Sequence, residues 1–157
     1  MKTHFTIEPN RNDIISERTF DAPIDKVFNA FVDPELVAQW WGGRKYKTVL
    51  EVYEPHAGGS WKFVQDDANG NKWAFHGVFH EVNAQEHRAI QTFEFDGLPE
   101  KGHAAMDTMT LTEKDGKTTM KTISVFQTVA DRDGMVASGM QDGYNDGLDV
   151  FEELLAK

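Results

Sequence analysis

"VASGMQDGYNDGLDVFEELL", residues 136–155, carries the pattern on which the fold turns. Wound at about 100° per residue, Val136, Met140, Tyr144, Val150, Phe151 and Leu154 fall on one face, and Ser138, Asp142, Asn145, Asp149, Glu152 and Glu153 on the other. The spacing predicts one long helix over about 132–156. Gly139, Gly143 and Gly147 recur every four residues on its apolar side, where each costs about 1 kcal/mol relative to alanine. Either the glycine row lets the helix lie flat on bulky neighbours, or it leaves space for a ligand. Both readings place the helix across a sheet.

The sheet is written upstream. Between about 47 and 129 short β-rich segments alternate with turn signals, and strands are expected near 48–54, 59–65, 72–82, 88–96, 105–113 and 118–128. Asp115 and Gly116 are the strongest hairpin signal. Consecutive strands joined in this way imply an antiparallel meander that curls under its own twist. Before it, residues 12–20 read as a further strand. In "DAPIDKVFNAFVD" (21–33), Ile24, Val27, Phe28 and Phe31 have helical spacing, with Asp21 as a candidate cap and Pro23 in the first turn. Asp33 and Pro34 start a second helix, whose stripe of Leu36, Val37, Trp40 and Trp41 runs into Gly42 and Gly43, either of which can close it in a left-handed conformation.

A chain of 157 residues suits one domain, 1–157, that buries roughly 70% of its unfolded surface. The four Trp and eleven Phe supply an aromatic interior. The net charge of -10 repels nucleic acid. No run is long and apolar enough for a membrane span, and "MKTHFTIEPNRND" lacks the apolar core of a signal peptide, so a cytoplasmic location is expected. The absence of cysteine excludes disulfides, thiolate nucleophiles and Cys-ligated zinc.

Five segments in order, "RTFDAPIDKVFNAFVDPELVAQWWGG" (18–43), "AGGSWKF" (57–63), "FHGVFHEV" (75–82), "QTFEFDG" (91–97) and "DGYNDGLDVFEELL" (142–155), resemble the START-like (SRPBCC, birch-pollen-allergen-like) superfamily. Within it the chain is similar to the group of the C-terminal domain of the activator of heat shock protein 90 ATPase. The resemblance implies an α+β helix-grip fold, a curved antiparallel sheet wrapped around a long C-terminal helix, with a cavity between them. It also implies three functions: binding of a hydrophobic, lipid-like or aromatic small molecule, stimulation of a chaperone ATPase, and cyclase- or hydrolase-like chemistry on an aromatic or lipid-like substrate. Departures are Pro55, His56 and Ala57 before the double glycine, where an arginine-proline pair is common, and Tyr144, where a tryptophan is common.

Strand alternation selects candidates for the wall of such a cavity. Trp61 and Phe63 share a face, as do Trp73, Phe75, Gly77 and Phe79. Glu81 continues that phase. Turned inward, its carboxylate would be desolvated and its pKa raised; at a fraying strand end it would face solvent. Trp40, Trp41, Phe93, Met140, Tyr144 and Phe151 join Trp61, Phe63, Trp73, Phe75, Phe79 and Glu81 to give an expected ligand-binding set of twelve. His76 and His80, four apart on a strand, are separated by roughly 13 Å and cannot share a metal. The serines Ser16, Ser60, Ser124 and Ser138 lie in no nucleophile elbow, and there is no phosphate-binding glycine loop. Non-enzymatic binding, with no cofactor and no metal, is the leading expectation. The acidic stripe Asp142, Asp146, Asp149, Glu152 and Glu153 is expected to be a solvated helix face.

Overall fold

A computed structural model describes residues 2–157. Its strands are β1 (His4–Thr6), β2 (Asp13–Phe20), β3 (Lys47–Tyr53), β4 (Ser60–Asp66), β5 (Lys72–Asn83), β6 (Arg88–Phe95), β7 (Ala104–Lys114) and β8 (Lys117–Val125). Four helices, α1 (Ile24–Val32), α2 (Pro34–Trp40), α3 (Val129–Ala137) and α4 (Met140–Leu155), complete the α+β helix-grip architecture. The expected meander is β3 to β8, each strand antiparallel to the next. β2 pairs with β8, and the short β1, which the sequence pattern does not signal, borders β2, so the sheet runs β1-β2-β8-β7-β6-β5-β4-β3.

Alternation fixes the inner face. In β2 it is Ile14, Ser16, Arg18 and Phe20, all buried, and in β4 Trp61, Phe63 and Gln65. Gly77 belongs to this face in β5 for a steric reason: a Cβ there would lie 1.9 Å from the Thr92 carbonyl oxygen and 2.5 Å from Trp61 Nε1. Its bare backbone lets the Trp61 indole lie on the sheet and donate to that carbonyl at 3.2 Å.

The helices follow their signals with two corrections. Asp33 caps α2 by accepting from the Glu35 amide at 2.9 Å, with Pro34 in the first turn, and both Gly42 (φ 90°) and Gly43 (φ 73°) are left-handed after it. Asp21, however, is not the cap of α1: Pro23 holds that position, and no side chain caps the helix. The single helix expected over 132–156 is broken in two. Thr128 caps α3 by accepting from the Asp131 amide at 3.0 Å, the Ser138 hydroxyl donates back to the Met135 carbonyl at 2.6 Å, and Gly139 (φ 85°) turns the chain before α4 starts. Period alone cannot show this break, because the apolar stripe runs across it in phase.

Each half is anchored separately. Arg132 of α3 is buried and donates to the carbonyls of Glu8 (2.7 Å) and Asp13 (2.9 Å). Arg18 of β2, also buried, lies 5.5 Å from the Phe20 ring centre and donates to Asp149 of α4 at 2.8 Å, with Glu152 at 3.7 Å. Arg44 pairs with Glu153, and Lys45 lies 3.9 Å from Asp146. The acidic stripe thus faces solvent only in part, since four of its five members reach bases of the same chain.

The buried side chains form two separate clusters. The larger unites Phe20, Trp40, Trp61, Phe79, Met109 and Phe151 under α1, α2 and the C-terminal half of α4. The smaller is Ile14, Ala105 and Phe126, packed by Phe5, Met135 and Met140 beneath the junction of α3 and α4.

Candidate functional site

A hollow of about 390 Å³ separates the inner face of the sheet from α3 and α4, and side chains of both clusters border it. Ser138, Gly139 and Gly143 line it while being solvent-exposed, so its mouth lies at the helix junction. One flank is aromatic: Trp41 meets Phe75 at 5.0 Å, and Phe75 meets Phe93 at 5.5 Å between ring centres. Tyr144 and Phe5, 6.2 Å apart, stand with Phe126 on another.

The three glycines answer the question set by the helix pattern in three ways. Gly139 is the turn. At Gly143 an added Cβ would meet nothing within 4 Å, so this residue leaves room. At Gly147 a Cβ would stand 3.0 Å from the Trp40 carbonyl oxygen, so this one permits close contact with the end of α2.

Across the floor runs a polar row. Ser124, Asp107 and Gln91 stand directly opposite one another on β8, β7 and β6, with Ser16 opposite Thr122 beside them. All five line the hollow. Desolvation pushes the Asp107 carboxyl up to about 6, although the Ser124 hydroxyl acts in the opposite direction. Burial likewise raises the Tyr144 phenol, partly offset by the nearby Thr122 and Ser16 hydroxyls. The Thr122 hydroxyl oxygen is buried and has no partner with hydrogen-bonding geometry. Such a floor can accept from a ligand donor and orient it. Among the described residues no histidine lines the hollow, which leaves Ser124 without the usual imidazole base.

Of the twelve residues expected to bind a ligand, Trp40, Trp41, Phe75, Phe93, Met140 and Tyr144 line the hollow. The two adjacent indoles divide their work. Trp40 is only 5% exposed, donates to the Ala30 carbonyl at 2.9 Å and packs on Phe151, so it closes the core while touching the hollow. Trp41 is half-buried and forms wall. Trp61, Phe63, Phe79 and Phe151 lie behind, in the packed core. Trp73 shares the inward phase but stands at the sheet margin, 39% exposed against Phe95.

Glu81 is outside the hollow. A β-bulge between Phe79 and Glu81 sets Phe79 opposite Gln91 but Glu81 opposite Ile90. The extra residue reverses the phase, so that Val82 turns inward to the core and Glu81 pairs with Arg88. The Arg88 guanidinium holds the Glu81 carboxyl below its usual range, the reverse of the shift expected for an inward group. His76 bonds to Asp96, and His80 is exposed. Among the described residues no three His, Asp or Glu side chains converge as metal ligands.

Asp107 escaped the pattern reading although its signal is present. In "AMDTMTL" (105–111) it shares the parity of Ala105, Met109 and Leu111, an aspartate on an otherwise apolar strand face. Gln91 likewise shares the parity of Phe93.

The comparisons with known proteins agree with this geometry. A family model described as Activator of Hsp90 ATPase homolog 1-like protein matches residues 21–156. Among solved structures, a Rhodobacter sphaeroides protein is 22% identical with a TM-score of 0.87, covering 99% of each chain. Protein Ms6760 of Mycobacterium smegmatis, 18% identical, also has a TM-score of 0.87 over 99% of this chain and 97% of its own. A Staphylococcus epidermidis protein is 28% identical with a TM-score of 0.78, covering 96% of this chain and 93% of its own. No curated protein sequence gives a significant match.

Proposed function

The chain belongs to the Activator of Hsp90 ATPase homolog 1-like family, and from that premise we propose that it binds a hydrophobic small molecule, without transforming it, in the hollow between sheet and α4. The observation that carries this reading is the hollow itself. Its volume of about 390 Å³ lies within the range of roughly 300–1,000 Å³ for ligand sites, and an apolar aromatic wall with a few convergent polar groups is the usual composition of such sites. A helix glycine at 143 with no neighbour within 4 Å of its absent side chain is accounted for by the space it leaves.

The test is native mass spectrometry and thermal shift with a panel of fatty acids, sterols, flavonoids and aromatic amines. A wild-type melting temperature raised by at least one class, and no rise in a folded Gly143→Phe variant whose ring fills the mouth, supports the reading. A wild-type protein indifferent to the whole panel ends it.

Chaperone stimulation is a second reading, favoured by the description of the matching family. Here it ranks below binding, because it gives the hollow no role. An assay of heat shock protein 90 ATP turnover separates the two. Stimulation that persists in the Gly143→Phe variant would favour the chaperone role over the ligand.

A further inference from the structure

Asp107 gives the hollow a polarity that an apolar container would lack. Apart from Asp107, the groups lining the hollow are apolar or neutral polar, and among the described residues no cation pairs with it. Directly across from it stand Gln91 and Ser124, and one row along are Ser16 and Thr122. A desolvated carboxylate without a counter-ion is unfavourable, and a ligand cation is the complement that removes the penalty. The rings of Trp41, Phe75 and Phe93 line the same space and offer an apolar wall to the rest of such a ligand. The Thr122 and Ser16 hydroxyls, close to the Tyr144 phenol, add neutral polar groups beside them. A carboxylate-bearing ligand would meet repulsion at the floor.

We propose that the hollow is selective for an aromatic or aliphatic molecule carrying one protonated amine, with the ammonium on Asp107 and the apolar body along Trp41, Phe75 and Phe93. This rests on the small-molecule reading above and assigns that site its ligand class. The selectivity depends on pH through Asp107. From β8 and β6 it is faced by the uncharged Ser124 and Gln91, and from α4 by Tyr144, a phenol that burial keeps neutral. From β2 the charged group is Arg18, held by Asp149, and in the loop just before β7 His103 is bound to Asp131 and Glu100.

Calorimetric titration with 2-naphthylmethylamine, 2-naphthylmethanol and 2-naphthoate at pH 7.5 tests the assignment. The amine is expected to bind about tenfold or more tightly than the alcohol, and Asp107→Asn to abolish that preference. Equal binding of all three compounds by the wild type would overturn the amine proposal and leave hydrophobic binding standing. Failure of all three to bind while another class in the thermal-shift panel does would have the same meaning, whereas silence from every compound removes both. Should Asp107→Asn not fold, the wild type alone decides: from pH 7.5 to pH 5 the amine affinity should fall about tenfold as the carboxylate protonates, with the alcohol unaffected. A pH-independent amine affinity would refute the role of Asp107.

Discussion

The two halves of α4 carry similar apolar residues into different surroundings. Toward the C-terminus, Leu148, Phe151 and Leu155 are buried against Phe20 and Trp40. Toward the N-terminus, Met140, Gly143 and Tyr144 border the hollow. One amphipathic stripe therefore serves as core at one end and as binding wall at the other. The distinction comes from what lies opposite: closely packed rings of β2 and α2 in the first case, the short polar side chains of β7 and β8 in the second. Hydrophobic spacing places a residue on the inner side but does not reveal whether the inner side is full.

Mutations at matched positions should expose that contrast, most strongly in the packed half. Phe151→Ala should cost about 4 kcal/mol by urea denaturation, whereas Met140→Ala, already beside space, should cost about 1 kcal/mol and alter ligand affinity instead. If the two losses were equal, the halves would not differ as described. Next in size is the floor of the hollow. Because the folded Asp107 pKa lies above its unfolded value, near 6 against 3.8, the native state holds that proton more tightly, and stability is lost as pH rises through this window. At pH 8, Asp107→Asn should therefore stabilise the ligand-free protein by on the order of 2 kcal/mol, with the advantage vanishing below pH 4. A variant less stable at both pH values would contradict desolvation as the cause.

Smaller still is the glycine pair. Gly143→Ala should stabilise by about 1 kcal/mol through helix propensity, since its Cβ meets nothing. The same change at Gly147 should bring no gain, because the added carbon presses on the Trp40 carbonyl. Thermal melts of the two variants give this comparison directly. The least effect is expected where α3 meets β7. Asp131, aided by Glu100, raises the His103 pKa to about 9 from 6.5, so the ion pair is complete below pH 6.5 and is lost as pH rises through 9. Hydrogen exchange in residues 129–137 should quicken over that range, and a His103→Gln variant should show no such change.

Much of this was readable beforehand. The helix signals at Asp33-Pro34, the turn signals between the β-rich segments and the family resemblance together lead to the order from β2 to β8, with two short helices after β2 and a helical C-terminal segment, but not to β1 or to the break between α3 and α4. What escaped has local causes. Alternation fails beyond a bulge, which no residue type at Phe79, His80 or Glu81 announces, and the bulge settles the two orientations left open for Glu81 in favour of the one outside the hollow. Asp107 followed alternation faithfully, yet its weight depends on an empty volume that only packing in three dimensions creates. The Gly139 break is hidden for a similar reason, because a left-handed glycine and a helical one look alike in a periodic stripe.

The Gly139 turn has one more consequence. The two roof segments are tethered toward opposite ends of β2, α3 through Arg132 to the Asp13 carbonyl and the Glu8 carbonyl before the strand, and α4 through Asp149 to Arg18. Between these tethers the left-handed Gly139 is the point at which the pitch of one helix against the other can be set. Evolution can retune the aperture for bulkier or slimmer guests by altering that link, leaving the anchors and the packed end of the molecule untouched.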